Sequence, residues 1–237
     1  MNDTSLLPSI LAAMVAVFAH ASFQLAVSVL TLLSGHSLGR GRSHLRVVHL
    51  SFSYILGTFT ATVGLVCTVA YFLSSLTTVQ TYQGWAVIAG LNAGVGVAVL
   101  FFYYRKGKGT VLWLPRPAAE ALTDRAKKTK NGFEAFSLGL ATIIAEMPFL
   151  IAPVSVVALL AADPMTSLSS FGWMSLYAAL VTVPLLFVAI LVSGGHRIST
   201  IQRWREANKT FLQVTSGGAL IVLGFFLLAK FGMAVNL

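Results

Sequence analysis

The sequence predicts an all-α polytopic membrane protein: six transmembrane helices in two inverted three-helix repeats, with the N- and C-termini both outside. Three observations carry this. Of 237 residues, 57% are apolar and 10% are charged, against about 25% charged in a soluble domain. Apolar runs of roughly 20 residues, the length a bilayer core requires, recur along the whole chain. Between those runs the basic residues fall in alternate loops, the asymmetry that marks cytoplasmic loops. The alternating polarity of membrane β-barrel strands is absent.

Taken in order, the spans are Leu7–Leu33, Val47–Leu73, Trp85–Tyr104, Phe136–Ala161, Phe171–Ser193 and Phe211–Phe231. Only Asp3 is charged before span one, and no Lys or Arg precedes its apolar run. That reverses a signal peptide's charge pattern, so residues 1–33 read as a span. Arg40, Arg42 and Arg46 follow it, whereas the loop after span two, SSLTTVQTYQG, carries no charge. Arg105, Lys106, Lys108, Arg116, Arg125, Lys127, Lys128 and Lys130 lie between spans three and four. Asp163 alone follows span four, and Arg197, Arg203, Arg205 and Lys209 separate spans five and six. The net charge of +9 is thus a topology device that also contacts anionic lipid, not a nucleic-acid surface. The expected setting is the inner (plasma) membrane of a prokaryote, with the basic loops cytoplasmic.

The chain divides into residues 1–104, a first three-helix repeat; 105–134, a basic cytoplasmic linker; and 135–237, a second repeat. Within the linker, AAEALTDRAKKTK can form an amphipathic helix with Ala119, Leu122 and Ala126 on one side, or remain solvated. Asn131-Gly132 would end it as a helix C-cap does. The repeat rests on AHASFQLAVSVLTLL from Ala19, which aligns without a gap on AEMPFLIAPVSVVALL from Ala145. His20 falls on Glu146, Ser22 on Pro148, Phe23 on Phe149 and Ala26 on Ala152. GVGVAVLFFYY (Gly94–Tyr104) maps onto GALIVLGFFLL (Gly218–Leu228) at nearly the same offset, which matches Asn92 to Ser216. Spans two and five share little beyond Tyr54 and Tyr177. Three spans per copy force the second copy to enter the membrane from the opposite side. An inverted repeat of this kind is the ground plan of many secondary transporters, which bind substrate near the midplane.

Glu146 is the carboxylate set deepest in any span, where an acidic residue costs about 2.5–3.5 kcal/mol on insertion scales. Protonation or a cation partner relieves that cost, and both suit a transporter. Pro148 and Pro153 follow it. Each lacks an N–H, so the carbonyls of Ile144 and Phe149 lose their helical partners, and a helix break there is expected. Pro184 offers a comparable break or hinge in span five. His20, matched to Glu146, would face it across the midplane and exchange a proton with it. Alternatively, His20 and Glu146 would ligate a divalent metal, with Ser22, Gln24 or Asn92 assisting. Gln24 shares a helical face with His20; with Ser22, Asn92 and Ser216 it would line the pathway or stitch helices together. Gly94, Gly96, Gly217 and Gly218 read as helix-packing positions.

Cys67 is the single cysteine, which excludes an internal disulfide and dithiol chemistry. Nucleotide-binding loops, zinc spacings and nucleophile elbows are absent, so neither enzymatic activity nor a cofactor is expected.

The layout resembles the superfamily of lysine exporters and CcdA/DsbD-type thiol transporters. LAAMVAVFAHASFQLAVSVLTLLSG resembles their first helix with its central break, GWMSLYAALVTVPLLFVAILVSG the fifth, and FLQVTSGGALIVLGFFLL the last. The resemblance implies six spans, an outside N-terminus and two inverted repeats. The CcdA-type Pro-Cys pairs are replaced by Ala21-Ser22 and Met147-Pro148, which removes thiol electron transfer. The resulting expectation is a secondary transporter coupling protons to the export of a small polar or cationic solute. Its partners would be that solute or ion, the lipid bilayer and a second copy of the chain. Divalent-metal transport through His20 and Glu146, and a non-transporting membrane subunit or assembly factor, are the alternatives.

Overall fold

The computed structural model describes residues 6–23, 25–37, 44–75, 82–103, 116–162, 170–194 and 198–229. All regular structure among them is helical, as it must be for single segments that satisfy their own backbone in hydrocarbon. Span one consists of α1 (Leu6–Ala21) and α2 (Leu25–Ser37), bent by 44° at the break between them. Spans two and three are α3 (His44–Ser75) and α4 (Tyr82–Ala98), the latter running on into a π-helical turn, Val99–Tyr103. Gln213 Nε2 donates to Val99 O at 3.1 Å and Leu100 O at 2.6 Å, meeting carbonyls of that turn. After α5 (Arg116–Lys128) come α6 (Gly132–Ala162), α7 (Ser170–Ser193), a short α8 (Ile198–Ala207) and α9 (Lys209–Leu227). Among the described residues, five helices are long and apolar enough to cross a membrane, and the bent α1–α2 pair makes six spans if it is one. This is the helix content of an integral membrane protein.

Several expectations change. Pro148 and Pro153 lie inside α6, and Pro184 lies inside α7; none of them ends a helix. Each proline removes one hydrogen bond, while α6 is the most buried of the candidate spans. The Phe149 carbonyl freed by Pro153 belongs to a buried residue, whereas Ile144 and Pro148 lie on an outward face, and the turns on either side of both prolines persist. The broken span is span one, which has no proline at the break. Asn131, expected to end the linker helix, instead starts α6. Its Oδ1 accepts the Glu134 N–H at 2.9 Å, while the Glu134 carboxylate accepts from Asn131 Nδ2 at 3.0 Å and Lys130 N–H at 2.6 Å. That reciprocal arrangement caps a helix start. The linker helix α5 buries Leu122 and Ala126 against the cluster formed by α2, α3 and α6. Arg46 Nη2 reaches Lys130 O at 2.8 Å and ties the start of α3 to the same turn.

Close backbone approach sets the packing. The most extensive contact is α3 along α6, followed by α4 along α9. A Cβ on Gly57 would collide with the Phe136 carbonyl oxygen, and one on Gly139 with that of Tyr54. Likewise, a Cβ on Gly96 would lie 2.7 Å from Gly217 O. Gly94 and Gly218, in contrast, face open space. Small residues gain van der Waals contact between membrane helices in this way. Elsewhere α1 and α2 pack against α6 and α7, α1 against α9, and α6 against α4 and α7.

Gly139→Val should cost about 1–3 kcal/mol by overpacking, whereas Gly94→Ala should change stability by less than about 0.5 kcal/mol. Thermal unfolding in detergent compares the two. Equal melting temperatures would contradict the α3–α6 approach.

Candidate functional site at the break in span one

At the break, α1 ends by satisfying its own last carbonyls. Ser22 Oγ and N–H donate to Phe18 O at 2.7 and 3.1 Å, and Phe23 N–H donates to His20 O at 3.0 Å. The Ser22 hydroxyl offers the backbone a local alternative to continuing the helix. The first turn of α2 has the opposite need, because the initial N–H groups of a helix lack intrahelical acceptors. Glu146 supplies one: its Oε1 accepts the Leu25 N–H at 3.3 Å. Glu146 stands near the middle of α6, about 21 Å along the axis from Gly132, and is 2% exposed. A carboxylate at a helix N-terminus also meets the positive end of the helix dipole.

His20, on the last turn of α1, is equally sequestered. Its Nδ1 pairs with the Tyr177 hydroxyl at 2.8 Å. Tyr54, fully buried on α3, donates its hydroxyl to Ala26 O at 3.0 Å, in the first turn of α2. His20 and Glu146 line one cavity of about 20 Å³, with Thr58, Thr62, Thr182 and Pro184 among its other walls. That is room for a water-sized occupant. The lining threonines each donate their hydroxyl proton to a carbonyl of their own helix: Ile55, Thr58 and Ala179 respectively. What they can offer anything else is lone pairs. Most of the cavity wall is apolar; its polar points are His20, the Glu146 carboxyl and these threonine oxygens, which can meet a small cation or hydrogen-bond donor.

The other predicted residues are distributed differently. Pro184 lines this cavity, whereas Ser22 faces a larger neighbouring groove. Gln24 lies outside the described residues. Asn92 and Ser216 are fully buried on α4 and α9 but line neither cavity. Asn92 Nδ2 donates to Ile88 O at 2.9 Å and Ser216 Oγ to Leu212 O at 2.8 Å, so both bond within their own helices. Asn92 Oδ1 has no partner among the described residues. Pro148 faces outward and Pro153 is buried in α6. Among the described residues no three His, Cys, Asp or Glu side chains gather as a metal-binding group. His20 and Glu146 alone are two ligands where a structural zinc site uses four.

Sequence reasoning missed Tyr54, Thr58, Thr62, Tyr177 and Thr182 as neighbours of the centre. The pairing of Tyr54 with Tyr177 between spans two and five was the available signal. It now gains meaning, since one tyrosine partners His20 at the end of α1 and the other Ala26 in the first turn of α2, which Glu146 also meets. Comparison with protein-family models, curated proteins and solved structures finds no match. Fold and centre together define an integral membrane protein with a sequestered acid and imidazole at a helix break.

Glu146→Gln retains an oxygen acceptor for Leu25 N–H and should fold with near-native stability. Glu146→Leu strands that amide and should cost about 1–3 kcal/mol. Chemical denaturation in mixed micelles separates them; equal stability would remove Glu146 from its place at the break.

Proposed function

We propose that the chain is a secondary transporter in which Glu146 couples protons to the movement of a small polar or cationic solute. The observation that carries this reading is the Glu146 carboxylate, which both holds the first N–H of α2 and lines the cavity it shares with His20. One group thereby senses the cavity's occupant and fixes the broken span. A proton or cation on the carboxylate weakens its hold on Leu25 N–H, and α2 is then free to move relative to α1. Ion binding in the cavity becomes helix movement at the break.

Two inverted repeats suit that movement, and three observations support them. The span contacts keep their pattern when the two halves are exchanged. Phe23 and Phe149, matched in the alignment, meet with ring centroids 6.2 Å apart, as residues do when a two-fold axis passes between them. His20 and Glu146, matched in the same alignment, share one cavity. Halves so related can rock about a fixed midplane site and expose it alternately to each side. The loop charges orient the molecule with its basic loops in the cytoplasm of a prokaryotic cell and both termini outside. Export is the direction implied by the resemblance to lysine exporters.

The Glu146 carboxylate and the threonine lone pairs, set in a mainly apolar wall, favour cations and donors over anions as cargo. The two-residue His20–Glu146 set favours proton coupling over tight metal binding.

Uptake into proteoliposomes under an imposed pH gradient, screened over amino acids, organic cations and metals, tests the proposal. A proton-linked flux that falls to the liposome background in Glu146→Gln is expected. Flux with full pH dependence in Glu146→Gln would contradict it. So would activity of a co-purifying complex that is indifferent to both Glu146→Gln and His20→Ala.

A further inference from the structure

The linker helix α5 and the start of α6 enclose a cavity of about 290 Å³, lined by Arg125, Lys128, Thr129, Phe133, Glu134 and Ser137. The acceptors around it are already engaged. Arg125 O accepts Thr129 N–H at 2.9 Å and Thr129 Oγ1 at 2.7 Å. The Glu134 carboxylate accepts Lys130 N–H and Asn131 Nδ2 in the cap of α6. The donors are not engaged. Arg125 and Lys128 are exposed, and neither head group has a hydrogen-bond or ion-pair partner among the described residues. The Ser137 hydroxyl has none among them either. Arg205 on α8 is the contrast: 3% exposed, it donates to Ser28 Oγ at 2.7 Å, and its charge is committed inside the protein. Arg125 and Lys128 stand three positions apart on one helix face, where like charges repel. Two cations against one carboxylate leave the cavity positive.

We infer that this cavity binds the phosphate of an anionic phospholipid, with Arg125 and Lys128 as its cations and Ser137 as a neutral donor. A guanidinium meets two phosphate oxygens with its planar fork, and an ammonium adds a point charge. Leu122 and Ala126 anchor α5 to the bundle, so the helix that carries both cations is held in place. Position selects a lipid over a free phosphate. A candidate membrane span begins at Gly132, which sets the cavity at the end of a span, at headgroup level. Phe133, Ile144 and Met147 on α6 are 79%, 65% and 39% exposed, and their spacing of eleven and three positions puts them on one helix face. In a bilayer that face meets hydrocarbon and leads from the cavity into the membrane. A phosphate seated on Arg125 and Lys128 thus has an apolar track beside it for its acyl chains, starting at Phe133. A zwitterionic lipid carries its own cation beside the phosphate, which competes with Arg125 and Lys128, so the site discriminates between headgroups.

Detergent-purified full-length protein is titrated with phosphatidylglycerol or phosphatidylcholine, and bound lipid is counted by native mass spectrometry. Phosphatidylglycerol should bind, and phosphatidylcholine about tenfold more weakly. Arg125→Gln and Lys128→Gln should each weaken phosphatidylglycerol by about tenfold, the loss of one charge-assisted contact. Both side chains are exposed, so both variants should fold. Lys127→Gln, exposed on the same helix but outside the cavity, removes the same charge and should change binding by less than about twofold, the effect of a screened surface charge. Soluble glycerol phosphate should leave the retained lipid in place. Equal binding of the two lipids, an equal loss in Lys127→Gln, undiminished binding when Arg125→Gln and Lys128→Gln are combined, or displacement of the lipid by glycerol phosphate at equal concentration would each overturn the assignment. Transport by Glu146 is a separate outcome, since none of these readouts measures flux.

Discussion

The hydrogen bond from Leu25 N–H to the Glu146 carboxylate joins two otherwise unfavourable features. A helix interrupted in the middle of a span exposes backbone donors where no water can meet them, at several kcal/mol for each group left unpaired. A carboxyl group set in the middle of another span is costly for the same reason. Placed against one another, each supplies what the other lacks. The neighbours extend this accounting. Tyr54 reaches the Ala26 carbonyl, Ser22 turns back on Phe18, and Tyr177 meets His20, so the break is bordered by paired groups. Removing the acid while leaving the break would undo the arrangement, which is why the centre and the bend belong together.

Much of this was legible in the sequence, and what was not has identifiable causes. Span lengths depend on composition alone: five of the six apolar runs fall on described helices long and apolar enough to cross a membrane, and the first falls on the bent α1–α2 pair. Glu146 and His20 announced themselves because ionisable residues are rare at that depth. Pro148 and Pro153 misled because a missing N–H is a local fact, whereas the survival of α6 depends on how deeply the surrounding helices bury it. The break in span one has no Pro or Gly to mark it. It was expected from the resemblance alone; the Leu25 N–H at the break meets an acceptor more than a hundred positions away in the chain, which local pattern does not register. Asn131 was read from the helix before it rather than the helix after it; Glu134, three residues on, was the signal of a cap. Arg205 passed as a loop charge because α8 was not recognised. Its spacing from Ile198 and Ile201 along one face would have revealed an inward-facing arginine.

The threonines of the cavity show how a membrane protein tunes a site without charge. Thr58, Thr62 and Thr182 direct their protons to their own backbones and so present a surface of acceptors. On the proposed reading, such walls attract donors and cations yet hold them less tightly than a second carboxylate would. Weak, multiple contacts are what a passage needs and a storage site does not. On that same proposed reading, the small volume of the cavity is one arrangement of two, with larger access created when the halves rock.

The central claim is that the protonation state of Glu146 answers to what enters the cavity and governs the break in span one. Infrared difference spectroscopy of the protein in lipid, with the Glu146 carboxyl band identified by its loss in Glu146→Gln, reads that state directly. The account predicts a protonated-carboxyl band that grows as pH falls and is diminished by adding a transported cation, together with a shifted amide signal from selectively labelled Leu25. A carboxyl band indifferent to pH and to every solute, or one that titrates while the Leu25 amide stays unchanged, would contradict it.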